Sequence, residues 1–256
     1  MKRIFSLLLL SCIATSLFAQ KNKTSKMEIY VLLGQSNMAG RGEITPAFEN
    51  EGNPRVFMLN KNLEWVLAKH PLHFDKPKAV GVGPGLAFGI KMAEANPAVQ
   101  IGLVPCAVGG TSIDKWAPGK YDKDTDTHPY DDAVARIQEA MKQGVIKGIL
   151  WHQGESDTSP EKAAAYLANL ETLIARIRKV CNNPNLPVVV GELGLFKENR
   201  RIINEVIAGL PASVEHTAIA KSNGLEQKGD GAHFNSESAQ LLGYRFAEQM
   251  LLLQKK

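Results

Sequence analysis

The sequence is poor in cysteine, with three cysteines among 256 residues. This scarcity excludes a small domain held together by several disulfides. Cys12 lies close to the N-terminus, whereas Cys106 and Cys181 lie in the body of the chain. These two could pair, but Cys106 lies in an apolar strand-like run and Cys181 near a predicted helix end. We therefore expect two buried thiols instead.

Neither sign of charge dominates the sequence. The chain carries 30 Lys and Arg residues against 26 Asp and Glu residues, which gives a formal net charge of +4. So small an excess argues against nucleic acid or an anionic membrane as the main partner. The hydrophobic fraction of 44% and the charged fraction of 22% are typical of a globular protein, and they exclude a disordered chain.

Long apolar runs are absent after the first twenty residues. Within those residues, Lys2 and Arg3 precede an apolar run that ends at Phe18, and Ala19 is a small residue suited to cleavage. This pattern predicts a secretory signal peptide over residues 1–19, and therefore a periplasmic or extracellular protein. The run is too short for a comfortable membrane span.

Two other interpretations of the N-terminal segment stay open. It could form an anchor helix, or Cys12 could carry the lipid of a lipoprotein. Cleavage after Ala19 would leave one domain over residues 20–256. Loss of Lys2 and Arg3 would lower the net charge from +4 to +2. We expect this mature chain to have no stable membrane span.

Short apolar runs alternate with helical patterns through the rest of the chain. Runs typical of buried strands begin at Ile29, Val99, Ile146 and Val188, with helical apolar spacing between them. The alternation predicts one α/β sandwich with a mostly parallel sheet. Ligands of such sheets bind at the carboxyl ends of the strands, so the residues that follow each strand are the candidates for function.

The segment after the first predicted strand is GQSNMAG at residues 34–40. Ser36 comes just after a buried strand and between glycines, where its hydroxyl would be exposed at the edge of the sheet. A serine that caps a short helix is the structural alternative. The segment lacks the second glycine of the nucleophile elbow of α/β-hydrolases, so it is a different kind of turn.

Two further segments follow later strands. GGTS at residues 109–112 contains paired glycines, which let a backbone N–H approach a ligand closely, although a plain turn is the alternative. HQGE at residues 152–155 contains Gln153, which can offer an amide N–H, and Glu155, which can orient a neighbour. We expect His152 to be a hydrogen-bonded histidine of the interior.

The last segment is DGAHF at residues 230–234, directly before the final helix. Asp230 stands three residues before His233, so its carboxylate can accept a hydrogen bond from Nδ1 while Nε2 faces outward. That arrangement fixes the tautomer that a general base needs. A helix-capping aspartate beside a surface histidine is the alternative. Together the four segments supply the parts of acyl transfer through a serine ester.

These segments resemble the SGNH-hydrolase superfamily and, more narrowly, the sialate O-acetylesterase-type domain grouped with carbohydrate esterase family six, which includes acetylxylan esterases. The matching blocks are GQSNMAGRG at 34–42, GGTS at 109–112, HQGE at 152–155 and DGAHF at 230–234. They frame nearly all of the chain that follows the predicted signal peptide. The resemblance implies a three-layer α/β/α sandwich with a flavodoxin-like sheet.

The resemblance implies a catalytic role for three residues of these blocks. Ser36 would be the nucleophile, His233 the base and Asp230 the acid that orients the base. Glu155 is a competing candidate for the orienting acid, or a residue that supports the others. The reaction implied by the resemblance needs no metal or cofactor.

The resemblance also implies three donors to an oxyanion. These are the N–H of Ser36, a glycine N–H, for which Gly110 is preferred to Gly109, and the side chain of Gln153. The superfamily has asparagine where this sequence has Gln153, so the longer side chain leaves the geometry open. Trp116 follows the GGTS block and could form a platform for a sugar ring, unless it is a packing tryptophan.

The implied activity is that of an exported serine carboxylic-ester hydrolase. It would be a carbohydrate O-acetylesterase that removes acetyl groups from acetylated xylan or O-acetyl sialic acid. Its partner would be an acetylated carbohydrate and not nucleic acid. The alternatives are a non-catalytic glycan-binding domain on the same fold and an esterase for other acetylated substrates.

Overall fold

The computed structural model describes residues 27–255. The predicted signal peptide over residues 1–19 and the lipid site considered at Cys12 lie outside this range. Among the helices between residues 27 and 255, none has both the length and the apolar character needed to cross a membrane.

Seven strands form one sheet in this part of the chain: β1 (Met27–Gly34), β2 (Val56–Leu59), β3 (Trp65–Leu67), β4 (Ile101–Pro105), β5 (Gly144–His152), β6 (Val188–Gly191) and β7 (Thr217–Ala220). Their order is β3-β2-β4-β1-β5-β6-β7. All neighbours are parallel except β2 and β3, which form an antiparallel pair at one edge. The predicted α/β fold with a mostly parallel sheet is confirmed.

The central strand β1 explains why the apolar runs of this sequence are continuous. It pairs with β4 on one side and with β5 on the other. Ile29, Val31 and Leu33 pack into the core on one face of the sheet, and Tyr30 and Leu32 into the core on the other. Because successive residues of a strand point to opposite faces, a strand covered on both faces must be apolar at every position.

Eight α-helices lie between residues 27 and 255: α1 (Ser36–Ala39), α2 (Pro46–Glu49), α3 (Pro84–Ala95), α4 (Pro129–Met141), α5 (Pro160–Val180), α6 (Arg201–Ala208), α7 (Leu210–Ser213) and α8 (Ser236–Gln254). Five of them have proline in the first two positions, where its fixed φ suits the helix and its missing N–H has no helical partner to lose. α3 and α8 cover one face of the sheet, and α4, α5 and α6 cover the other. The result is the expected three-layer sandwich.

One predicted element is divided in the structure. From the sequence we expect a single strand over residues 213–220, but α7 ends at Ser213 and β7 begins only at Thr217. Between them, His216 has a φ of 57°, a left-handed conformation that interrupts an extended chain. The strand is therefore shorter than expected, because a local turn at His216 precedes it.

Both cysteines in the described part of the chain are buried and unpaired. Burial disfavours the charged thiolate, so it raises the pKa of Cys106 to about 11 and that of Cys181 to about 12. The expectation of two buried thiols is confirmed. Both thiols stay protonated at neutral pH, which makes them poor nucleophiles.

Candidate active site

A cleft lies at the carboxyl ends of the neighbouring strands β4, β1 and β5. Three of the four sequence blocks follow these strands, and the fourth precedes α8. Ser36, His233 and the paired glycines 109 and 110 meet at this open cleft of about 720 Å³. The sheet topology thus brings together side chains that are 197 positions apart in the sequence.

Ser36 is held in place by the turn that ends β1. Gly34 has a φ of 132°, and a Cβ added to it would lie 2.0 Å from the carbonyl oxygen of His152, so only glycine fits. The Gly34 carbonyl accepts a hydrogen bond from Val108 N, and Gln35 N donates to His152 O, each at 2.9 Å. The half-buried Ser36 then begins the short helix α1, between the loops that follow β4 and β5.

The hydroxyl of Ser36 is hydrogen-bonded to a histidine and the histidine to a carboxylate. Ser36 Oγ lies 3.0 Å from His233 Nε2, and His233 Nδ1 lies 2.7 Å from Asp230 Oδ2. The other oxygen, Asp230 Oδ1, accepts the backbone N–H groups of Ala232 and His233, each at 2.8 Å. The four-residue turn therefore orients both the acid and the imidazole.

Asp230 is held in its charged form. Burial would raise the pKa of Asp230, but the hydrogen bonds from His233 and Ala232 and the charge of the imidazole together lower it well below its ordinary value. The ionised carboxylate accepts the proton carried by Nδ1, which leaves Nε2 as the ring atom that can accept the Ser36 hydroxyl. This is the tautomer required of a general base.

The backbone N–H groups of Ser36 and Gly110, which both line the cleft, have no acceptor among residues 27–255. The N–H of Gly109 instead donates to Asp75 Oδ2 at 2.8 Å. Gly110 has a φ of 93°, and its carbonyl accepts a hydrogen bond from Ser156 Oγ at 3.0 Å. The hydrogen bonds therefore favour Gly110, the glycine preferred on the family resemblance, over Gly109 as a donor to an oxyanion.

The amide of Gln153 is turned away from the cleft. The side chain is fully buried, and Nε2 lies 2.5 Å from Asp157 Oδ2, 3.0 Å from Thr111 O and 3.2 Å from Gln35 Oε1. Two N–H groups shared among three buried acceptors leave none for a substrate. The expectation that Gln153 completes the oxyanion hole is corrected, because the buried carboxyl of Asp157 holds its amide inside the protein. Gln153 instead supports Thr111, the residue after the paired glycines.

Asn37 is a residue of the site that the sequence argument missed. It is 3% exposed, and its Nδ2 donates to Glu155 Oε1 at 2.6 Å and to Ala232 O at 3.3 Å. Its Oδ1 accepts Phe234 N at 3.1 Å. It therefore joins the helix of the candidate nucleophile to the backbone on both sides of His233. Its position directly after Ser36 in the sequence is the feature that could have identified Asn37 as a residue of the site.

Glu155 lies behind the serine and histidine rather than beside the imidazole. Its carboxylate is hydrogen-bonded to Asn37 and lies 4.0 Å from His152 Nδ1, whereas His233 Nδ1 pairs with Asp230. His152 is fully buried, and burial lowers its pKa, so it is neutral near pH 7. The contacts favour Asp230 over Glu155 as the orienting acid and place His152 in the interior, as expected.

Replacing Asn37 with alanine is expected to destabilise the protein by about 1–3 kcal/mol, because Glu155 and the N–H of Phe234 would each lose a buried partner. Urea unfolding measured by circular dichroism would give the change in free energy. The matched control is Asn199→Ala, which removes an exposed hydrogen bond to Thr158 and should shift stability by at most about 0.5 kcal/mol. Equal stability of the two variants would contradict the bridging role.

Trp116 is not available to a substrate. It is 1% exposed, packs edge to face against Trp151 with ring centroids 5.2 Å apart, and donates its Nε1–H to Thr111 Oγ1 at 3.2 Å. The expectation of a sugar platform is therefore corrected. A large aromatic ring gains more by burial in the core under the cleft than it would at the surface.

The fold is that of SGNH-type carbohydrate esterases. The crystal structure of NanS aligns with a TM-score of 0.70 at 19% identity, over 90% of this chain and 99% of that chain. A carbohydrate acetylesterase from Xanthomonas citri aligns with a TM-score of 0.64 at 18% identity, over 87% of this chain and 55% of that chain. At such identities the likeness shows the fold alone.

The chain belongs to the carbohydrate esterase family described as sialic acid-specific acetylesterase, whose family model matches residues 26–252. A probable carbohydrate esterase from Arabidopsis thaliana is 34% identical over 243 residues, which cover 88% of this chain and 90% of the plant protein. An X-ray structure of a protein from Arabidopsis thaliana aligns with a TM-score of 0.79 at 33% identity, over 89% of this chain and 98% of that chain. The protein is thus an esterase of a carbohydrate acetylesterase family.

Proposed function

We propose that this protein is an exported carbohydrate O-acetylesterase that removes acetyl groups from glycans through a serine acyl-enzyme. The observation that carries the proposal is the series of hydrogen bonds from Ser36 Oγ to His233 Nε2 and from His233 Nδ1 to Asp230, at 3.0 and 2.7 Å. A glycan-binding module would need no such series, which is why we prefer an enzyme. Export rests on the N-terminal sequence pattern.

In the proposed first step, Ser36 Oγ attacks the acetyl carbonyl carbon while His233 Nε2 takes the hydroxyl proton. The new C–O bond turns the carbonyl oxygen into an oxyanion, which the N–H groups of Ser36 and Gly110 would stabilise. When the carbonyl re-forms, the bond to the sugar oxygen breaks. The sugar leaves as an alcohol with the proton from His233, and the acetyl group stays on Ser36.

The second step repeats the first with water in place of the serine. His233 takes a proton from water, whose oxygen attacks the acetyl-Ser36 carbonyl through a second oxyanion. The bond between the acetyl carbon and Ser36 Oγ breaks, and Oγ takes the proton from His233. Acetic acid leaves and gives its own proton to the solvent as acetate forms. Asp230 stays ionised throughout and stabilises the imidazolium that forms twice in each cycle.

The charge of the cleft favours an acidic glycan. The basic side chains of Lys76 and Lys78 line it, against the acidic side chain of Glu43. Arg41 and Lys228 also line it, but Arg41 is paired with the buried Asp75, and Lys228 Nζ lies 3.8 Å from Asp230 Oδ2. Lys76 Nζ lies 3.7 Å from the position that a Cβ would take on Gly110, so a positive charge stands beside the candidate oxyanion donor. Between the two glycans that the family resemblance implies, this charge favours O-acetyl sialic acid, whose carboxylate acetylated xylan lacks.

Salt is expected to weaken the binding of an acidic substrate and not that of a neutral one. Raising the salt from about 0.01 M to about 0.15 M shortens the Debye length from about 30 Å to about 8 Å. KM for O-acetyl sialic acid should then rise about threefold, while KM for an acetylated xylo-oligosaccharide should stay constant. Lys76→Gln should raise only the first KM, by about two- to fivefold. Lys91→Gln, a change at a lysine that does not line the cleft, should change neither KM. An equal response of both substrates would refute recognition by charge.

The proposed function is tested by acetate release from a panel of acetylated glycans. The panel contains O-acetyl sialic acids, acetylated xylan and an acetylated peptidoglycan fragment. The wild-type protein should release acetate from at least one of them, and Ser36→Ala from none. Equal release by both proteins would refute the serine mechanism, and no release from any substrate would favour the glycan-binding alternative.

A further inference from the structure

A buried ion pair connects the two loops that supply the candidate oxyanion donors. Arg41 Nη2 lies 2.7 Å from Asp75 Oδ2, and the two side chains are 5% and 3% exposed. The same carboxylate oxygen accepts the N–H of Gly109 at 2.8 Å, and Arg41 Nη1 donates to the Gly40 carbonyl at 2.7 Å. The pair therefore spans from the loop that ends the helix of Ser36 to the paired-glycine turn.

The ion pair is packed directly against the glycine turn. A Cβ added to Gly109 would lie 2.4 Å from Arg41 Nη2 and 2.8 Å from Asp75 Oδ2. The φ of Gly109 is not in the left-handed region, so this close approach is the reason for glycine at position 109. The Arg41 guanidinium and the Asp75 carboxylate occupy the space that a side chain at position 109 would need.

Both members of the pair are charged. Burial would raise the pKa of Asp75, but the charge and hydrogen bond of Arg41, together with the N–H of Gly109, outweigh it and lower the pKa. The neighbouring His73 adds no positive charge at neutral pH, because burial lowers its pKa to about 4. A buried ion pair is costly to desolvate and is weak evidence for stability, so its position needs another explanation.

We propose that Arg41 and Asp75 are positioning residues that set the separation of the two oxyanion donors. Asp75 engages the N–H of Gly109 and thereby leaves the next N–H, that of Gly110, directed at the cleft. Arg41 holds the Gly40 carbonyl and thereby the short helix that presents the N–H of Ser36. This inference rests on the proposed serine mechanism, in which both N–H groups must reach one oxygen at about 2.7–3.1 Å.

The test measures hydrolysis of p-nitrophenyl acetate, so it does not depend on which glycan is the substrate. Asp75→Ala is expected to lower kcat about 10- to 100-fold, because a displacement of about 1 Å can cost about 100-fold, while KM changes less than about threefold. Asp75→Asn keeps an oxygen that can accept the Gly109 N–H, and it should retain an intermediate kcat. The affinity of a boronic acid that forms a tetrahedral adduct with Ser36 should fall in parallel with kcat.

The matched control is Glu51→Ala. Glu51 also pairs with a buried side chain, that of His70, at 3.0 Å, and accepts Gln240 Nε2 at 2.7 Å, but it does not line the cleft. Its replacement should lower thermal stability and leave both kcat and boronic acid affinity unchanged. A purely structural role of Asp75 would give the same result as this control.

The inference is overturned if folded Asp75→Ala keeps kcat and boronic acid affinity within about threefold of wild type. Should Asp75→Ala fail to fold, Arg41→Lys takes its place under the same criterion, since it keeps the positive charge but cannot reproduce the two guanidinium contacts to Asp75 and to the Gly40 carbonyl. A wild-type protein inactive on p-nitrophenyl acetate and on every acetylated glycan would instead refute the proposed function. The two failures are thus distinguishable.

Discussion

Replacing Ser36 with alanine is expected to lower acetate release by a factor of about 10⁴–10⁶. Without the hydroxyl no acetyl-enzyme ester can form, and only direct attack by water, aided by His233 and the backbone N–H groups, remains. The hydroxyl is hydrogen-bonded to His233, and the residue is only half-buried, so its loss should leave the fold intact. Initial rates of acetate release on the substrate preferred by wild type give the ratio.

A second measurement separates loss of the nucleophile from loss of folded protein. A fluorophosphonate probe should label wild type at Ser36 and leave Ser36→Ala unlabelled. The control Ser213→Ala removes a hydroxyl that donates only to Leu210 O in α7, at 3.2 Å, and should keep full activity and labelling. If Ser36→Ala retained more than about one hundredth of wild-type activity, another nucleophile would be required.

Replacing Asp230 with asparagine is expected to lower kcat by about 10⁴-fold with little change in KM. An amide N–H directed at His233 Nδ1 would favour the tautomer that carries its proton on Nε2, which cannot accept a proton from Ser36. Because the pKa of Asp230 is held below its ordinary value, the wild-type carboxylate is ionised wherever the imidazole is neutral. Titration of Asp230 itself should therefore not limit the activity of wild type near neutral pH.

Glu155→Gln is the matched control for this prediction, since Glu155 is the competing acid. The glutamine still offers an oxygen to Asn37, so kcat should fall by at most about tenfold. Steady-state kinetics of both variants on one substrate decide between the two acids. A larger loss for Glu155→Gln than for Asp230→Asn would assign the orienting role to Glu155 instead.

Much of the fold was predictable because it depends on local patterns. A strand segment covered on both faces must be apolar at every position, and residues 29–33 of β1 and 148–151 of β5 show this pattern directly. Proline in the first turn of α3 and α5 made the N-terminal ends of these helices predictable. The strand expected to begin at residue 213 was less predictable, because the left-handed conformation of His216 leaves no apolar or proline signal.

The pairing of His233 with Asp230 was also predictable, since both residues lie within one four-residue turn. The ion pair of Arg41 with Asp75 was not, because its members are 34 positions apart and no periodic pattern marks Asp75. The role of Asn37 was not predictable for the same reason, because its hydrogen-bond partners lie in other loops.

The sequence by itself therefore determined the layered α/β fold and the blocks that supply the serine, the histidine and its acid, because each depends on neighbours within a few residues. Only the tertiary structure decided which polar groups face the cleft. Asp75 accepts the N–H of Gly109, and Asp157 accepts the amide of Gln153 in the protein interior. Trp116 is buried in the core. An N–H group can bind a substrate only when no acceptor within the protein is already hydrogen-bonded to it. These acceptors belong to residues that are distant in the sequence, so only the tertiary structure shows them.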